Sequence, residues 1–207
     1  HLLTSMIVAV GSAIVSLVIA TPAAYALSHF RLRGTKIVLL AILISQMIPG
    51  IAVANALYGA YSSLGLLNAV PGLILADCTT GIPFAILVTM AFMEAIPKDI
   101  LDAARVDGAG HVGTLLLIVV PVSRNALITA GIFAFLFAWS DFLFALTLTT
   151  DDTVRPVTLG IYLYLGAHVS NWSAVMATAV LASIPAVVLL VVAQRYIAAG
   201  ATGGAVK

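Results

Sequence analysis

Two aspartates stand inside apolar runs of this 207-residue chain: Asp77 within Ala69 to Met93, and Asp141 within Asn125 to Thr150. A carboxylate at the centre of a membrane helix costs about 2.5 to 3.5 kcal/mol on insertion scales, a cost usually offset by a water-filled path, a partner or a function. Trp139 precedes Asp141 by two positions. An aromatic ring beside a carboxylate suits a polyhydroxylated ring such as a sugar, whose apolar face stacks while its hydroxyls donate to the acid. Asn55, Tyr58 and Thr79 supply further polar groups in neighbouring runs. The competing reading is structural: Asp141 caps or anchors packing within a bundle, and Trp139 packs against a partner.

Other signals lead away from enzyme chemistry. Gly108, Gly110 and Gly113 spell GxGxxG, but a polar helix and not a strand precedes them, so no dinucleotide site is expected. No GxxxxGK[ST] stretch occurs, which places any ATP hydrolysis on another polypeptide. His29, His111 and His168 fall near the ends of apolar runs without ligand spacing, so no metal site is expected. No GxSxG elbow occurs, which argues against an intramembrane hydrolase. Cys78 is the single cysteine, leaving no disulfide framework and no CxxC pair.

The elements that position these residues follow from composition. With 62% hydrophobic and 8% charged residues, the chain cannot clothe itself for water, and lipid is the remaining solvent. A net charge of +1 without a basic cluster argues against nucleic acid as a partner. A helix needs about 20 apolar residues to cross a bilayer. Five runs reach that length: Leu2 to Leu27, Lys36 to Ala60, Ala69 to Met93, Asn125 to Thr150 and Ser173 to Ile197. They are continuous, without the alternation of barrel strands. The expected fold is all-α, a polytopic transmembrane helical bundle of five spans forming one domain over 1–207. The chain opens at His1 with no methionine, and a further span is expected ahead of it.

Lys and Arg set the orientation. Arg31, Arg33 and Lys36 mark the first loop, the second has none, and the third has Lys98, Arg105 and Arg124. The fourth has Arg155 beside Asp151 and Asp152, and the tail has Arg195 and Lys207. The positive-inside rule then puts loops one and three and the carboxyl terminus in the cytoplasm. Pro22, Pro49, Pro71, Pro83 and Pro185 fall within the runs, where each removes a backbone donor and can kink a helix around a cavity. Tyr162, Tyr164, His168, Asn171 and Trp172, in the last loop, suit an interfacial belt or contact with an external protein.

The long polar interruption is Glu94 to Arg124, which holds Glu94, Asp99, Asp102, Asp107, Lys98, Arg105 and Arg124. That much charge predicts a water-exposed loop at a membrane face, within reach of a soluble partner. Pro97 suits the first turn of a helix and Gly108 its stop. Ile100, Ala103, Ala104 and Asp107 fall on one side, and Lys98, Asp102 and Arg105 on another. A small-residue side lets a second protein seat closely.

The run DAARVDGAG, with Pro121 thirteen positions beyond Gly108, resembles the EAA loop of the membrane-spanning subunits of binding-protein-dependent ABC importers. EAIPKDI before it, WSDFLFAL at Trp139 to Leu146 and the tail from Gln194 to Lys207 are similar to the carbohydrate-importer branch, that of the maltose permeases. The resemblance covers essentially the whole chain. It implies six spans in the full subunit, a cytoplasmic-membrane location, and a coupling helix that docks on a cytoplasmic ATPase through Glu94, Asp102, Ala103, Ala104, Asp107 and Gly108. Asp102 stands where the family usually has Glu, Asn125 replaces a second proline, and Leu115 to Leu117 lack aromatic and basic residues common there. The implied partners are a second permease subunit, two ATPase subunits carrying ATP and Mg, and an extracytoplasmic solute-binding protein, with no cofactor in this chain itself. The implied role is ATP-driven uptake of a sugar or sugar-like solute by alternating access. An ion-coupled secondary transporter or channel is the alternative, although no inverted repeat is evident.

Overall fold

The computed structural model describes residues 1–30, 33–162, 164 and 171–203, with residues 195–203 as helical backbone only. Arg31, His168 and Lys207 lie outside the described residues, as does the side chain of Arg195. Every regular element among the described residues is helical. In chain order they are α1 (Leu2–His29), α2 (Thr35–Ser45), α3 (Gly50–Leu64), α4 (Val70–Glu94), α5 (Lys98–Val106), α6 (His111–Thr114), a π-helical turn (Leu115–Val119), α7 (Val120–Val122), α8 (Arg124–Ser140), α9 (Leu143–Leu148), α10 (Val157–Tyr162) and α11 (Trp172–Gly203).

By length and composition three single helices can cross a bilayer, within α1, α4 and α11, and up to five spans result if each bent pair counts as one. The bends are where the structure departs from a reading of five plain spans. The run Lys36 to Ala60 is not one rod: α2 and α3 meet at 93°, and Pro49 stands at the turn as the residue before α3. The stretch 111–122 meets α8 at 81°. The run Asn125 to Thr150 also breaks, between Ser140 and Leu143. Pro22, Pro83 and Pro185, by contrast, lie inside continuous helices. Pro71 occupies the first turn of α4, where its missing N–H costs nothing.

The centre is a three-helix seam of small residues. On α1 the buried positions Val8, Ser12, Ser16, Ala20 and Ala24 repeat every fourth residue. On α4 the series is Leu73, Asp77, Gly81, Ala85, Thr89 and Met93, and on α8 it is Ala126, Ala130, Ala134 and Ala138. Between apolar helices in lipid there is little hydrophobic drive, so close backbone approach through small side chains supplies the attraction. The approach is tight at Gly81, where a Cβ would fall 2.5 Å from Ser16 Oγ and 3.6 Å from Ala134 Cβ. Hydroxyls in the seam are met internally: Ser16 Oγ donates to Cys78 Sγ, and Ser12 Oγ to the Ile74 carbonyl. By contrast α2, α3 and α11 present large apolar side chains outward, among them Ile37, Leu40, Val180 and Val188.

At the end of the bundle holding the α3–α4 turn, Asn68 works as a clasp. Its backbone is left-handed, at φ 55°, a conformation asparagine tolerates. Its Nδ2 donates to Thr150 Oγ1 at 2.8 Å, its Oδ1 accepts the Thr150 and Asp151 N–H groups, and its own N–H reaches the Leu148 carbonyl. Beyond it the Thr153 hydroxyl and N–H donate to Asp151, holding that exposed carboxyl below its ordinary pKa. Asn171 Oδ1 accepts the Ala174 N–H and caps α11, while Tyr162, Tyr164 and Trp172 stay exposed.

Close approach is tightest where α4 begins. A Cβ on Gly72 would lie 2.2 Å from the Leu66 carbonyl oxygen, a backbone atom that cannot step aside, whereas nothing lies within 4 Å of one on Gly59. Gly72→Ala is therefore expected to lower stability by about 1–3 kcal/mol and Gly59→Ala to leave it nearly unchanged, as read by thermal unfolding of the detergent-purified protein.

Candidate functional site

Two separate places collect the residues with chemical promise. The first is α5, at the end of the bundle where α1 and α4 finish. A nine-residue helix does not hold in water on its own, so tertiary anchoring decides. Leu101 supplies it, 3% exposed within a cluster that includes Ala24, Tyr25, Met93 and Val119. Burying a leucine contributes about 1.5–3 kcal/mol.

The far end of α5 is closed by a glycine stop. Gly108 has φ +85°, the Gly108 N–H bonds the Arg105 carbonyl, and the Ala109 N–H bonds the Ala104 carbonyl. This paired 5→2 and 6→1 pattern is a Schellman motif. The outward side of the helix carries Ile100, Asp102, Ala103, Val106 and Asp107, all exposed, with Asp102 paired to Arg105 at 2.9 Å. Glu94, also exposed, ends α4 ahead of the turn at Pro97. Ala104 is the exception, since it is 4% exposed and faces this chain's own bundle. The sequence pattern put it on the same side as Ile100 and Ala103, but Leu101 and Ala104, three apart, form the anchoring stripe instead. Ser28, His29 and Phe30 at the end of α1 and Lys98, Leu101, Asp102 and Arg105 of α5 border a cleft of about 390 Å³.

Within 94–124, residues 111–122 are helical and apolar, and they expose Val112, Leu116, Leu117 and Val122. The charged side chains stand on either side of them, at 94–107 and at Arg124.

The second place lies where α8 breaks. The Asp141 carboxylate accepts the Phe144 N–H at 3.2 Å and the Ala145 N–H at 3.0 Å, capping α9. Its carbonyl accepts from Thr158 Oγ1 at 2.6 Å, tying the break to α10. One turn before Gly81 on the α4 stripe stands Asp77, 7% exposed. The close seam ends there, because α8 turns away, and a cavity of about 400 Å³ opens between Asp77, Thr80, Phe137, Asp141 and Phe144. A neighbouring cavity of about 310 Å³ shares Thr80 and Phe144 and runs past Thr79 to Gln46 and Gly50 at the α2–α3 bend.

Asp77 and Asp141 are thus brought to one cavity, and Thr79 to the neighbouring one. Asn55 and Tyr58 lie on α3 and are exposed. Trp139 is not brought to the cavity: it is 6% exposed, stacks on Phe135 at 5.6 Å, and donates its indole N–H to the Ala182 carbonyl of α11. Spacing alone did not single out Thr80 and Phe144 as cavity residues, because their place depends on the two helix breaks.

Known proteins resolve the family. The family described as binding-protein-dependent transport system inner membrane component matches residues 16–202. The chain belongs to this family. It is a membrane-embedded permease subunit of an ABC import system, and the ion-coupled transporter or channel reading is set aside. The permease is 33% identical over 208 residues to the trehalose/maltose transport system permease protein MalG of Thermococcus litoralis, covering all of this chain and 75% of that one. It is 33% identical over 206 residues to the sulfoquinovosyl glycerol transport system permease protein SmoH of Agrobacterium fabrum, covering 100% and 72%. It is also 33% identical to the trehalose transport system permease protein SugB of Mycobacterium tuberculosis, covering 100% and 76%. In structure the permease superposes with TM-score 0.76 and 24% identity on a chain of a bacterial ABC transporter involved in the import of the acidic polysaccharide alginate, covering 93% of this chain and 72% of that one. That likeness concerns the fold.

Removing the cap at the α8 break tests its part in the permease. Asp141→Ala is expected to cost about 0.5–2 kcal/mol and Asp141→Asn, which keeps an acceptor, clearly less, both measured by thermal unfolding in detergent. Equal losses from the two variants would mean that the hydrogen bonds to α9 are not what the residue supplies.

Proposed function

We propose that this permease carries a sugar or sugar-like solute across the cytoplasmic membrane by alternating access, driven by ATP bound with Mg on partner ATPase subunits. The observation that supports it best is full-length similarity to permeases whose names specify trehalose, maltose and sulfoquinovosyl glycerol. The assembly we infer pairs this chain with a second permease subunit, two ATPases and an extracytoplasmic solute-binding protein. ATP and Mg stay with the ATPases, and this chain contributes no cofactor.

In this reading α5 is the coupling helix and lies on the cytoplasmic side, as does the carboxyl terminus. The outward residues Asp102, Ala103, Asp107 and Gly108, with Glu94, meet the ATPase, while Ala104 keeps the helix seated on α1 and α4. Force on a helix held by one buried leucine and a glycine stop passes to the ends of two spans without bending the connection. The solute path follows the two linked cavities, with Asp77, Thr79 and Asp141 on its wall and Asn55 and Tyr58 on the exposed side of α3. Trp139 acts from behind as a brace between α8 and α11.

In proteoliposomes holding the full complex, uptake of labelled trehalose or maltose delivered by the binding protein is expected to need internal ATP and to survive collapse of ion gradients. Gly108→Arg is expected to abolish that uptake while the subunit remains in the membrane, because a side chain is strained at φ +85° and stands at the docking end. Uptake that follows an ion gradient, or wild-type uptake by Gly108→Arg, would contradict the proposal.

A further inference from the structure

The cavity at the α8 break has a charge imbalance that a neutral solute leaves untouched. Two acids border it, and no Lys, Arg or His stands among its lining residues. Both stand on the wall of the same cavity. Asp141 has both oxygens committed to the α9 backbone. Asp77 does not: it is 7% exposed and takes a hydrogen bond from none of the described residues. A buried carboxylate without a donor is held at a cost, and a second negative charge nearby raises it. Three of the remaining lining residues are aromatic, Phe137, Phe142 and Phe144, beside Thr80, Ser140 and Leu143, and two of the rings are held from outside: Phe137 meets Phe84 edge-on at 5.1 Å, and Phe142 meets Tyr162 at 5.4 Å. Ring faces attract cations and do nothing comparable for carboxylates.

We propose that this cavity receives a protonated amine carried by the transported sugar, with Asp77 as its charge partner and Phe137, Phe142 and Phe144 as an aromatic wall. The inference deepens the sugar-importer reading and rests on it, adding that the path prefers an amino sugar to a neutral one. The ammonium supplies the donors that Asp77 lacks, while Thr80 on the same wall can bond a sugar hydroxyl. A uronate-type solute would set a third carboxyl group against the two already lining the space and is rejected.

The test is equilibrium binding of labelled glucosamine, glucose and glucuronate to the complete transporter in nanodiscs, without the binding protein. The expected order is glucosamine, then glucose, then glucuronate. Asp77→Asn is expected to weaken glucosamine about tenfold or more and to affect glucose much less. Phe142→Leu is expected to narrow the preference for glucosamine without removing it. Glucose binding as tightly as glucosamine to the wild type would overturn the proposal, and this comparison needs no variant to assemble. An unchanged glucosamine affinity in assembled Asp77→Asn would overturn it equally. Either result beside ATP-driven uptake leaves the sugar importer standing, whereas uptake that ignores ATP removes both readings.

Discussion

A helix that breaks inside an apolar medium frees backbone N–H groups that no water can meet, and at the end of α8 those of Phe144 and Ala145 are met by the Asp141 carboxylate. Much of the rest depends on this. Because the break is stabilised, α8 can turn away from α4 after Ala138, and the seam that closes on Gly81 and Ala134 one turn earlier opens into a cavity. An unbroken α8 would have continued the close packing past Asp77 and buried that acid against another helix. The carboxylate that is costly in a membrane span is thus also what permits a space inside it.

The small-residue seam supplies the opposite property, rigidity. Repeats of every fourth residue on α1, α4 and α8 bring three backbones together, with Gly81 pressed between Ser16 and Ala134. α5 is seated on the ends of two of these helices through Leu101, and the Asn68 clasp fastens the start of α4 to the residues after α9 at the other end. A body fastened at both ends moves as a unit, which is what a subunit needs if force applied at one face is to open a path near the other. The outward apolar side chains of α2, α3 and α11 leave ample surface for lipid and a second permease.

Much of this was legible in the chain. Continuous apolar runs marked the chain as helical and membrane-embedded, because nothing but lipid tolerates them, but they did not show where α2 and α3 bend or where α8 breaks. Pro97 and Gly108 marked α5 to within a residue, since a proline starts and a glycine stops a helix by local backbone chemistry. The cap role of Asp141 was one of two readings, and the geometry adds that the cap and the cavity wall are the same residue. Other features were not legible. Ala104 turned inward and Trp139 turned to Ala182 because neighbouring helices, not spacing, decide which side of a helix is inner. The apolar stretch 115–120 read as part of a polar loop because charged residues bracket it, yet it is helical and exposes Leu116 and Leu117. The fourfold spacing of alanines on α8 was visible in the sequence, but uniform hydrophobicity hid it among equally apolar neighbours.

The central claim is that α5 is a handle on the cytoplasmic side, gripped by an ATPase. Ala103 lies on its exposed side, and the single native thiol, Cys78, is buried. A cysteine placed at Ala103 can therefore be read alone, by cross-linking in the assembled complex and by an impermeant maleimide added to either face of sealed vesicles. The account predicts a cross-link to the ATPase chain and labelling from the cytoplasmic face only. Labelling from the opposite face, without a cross-link to the ATPase, would contradict it.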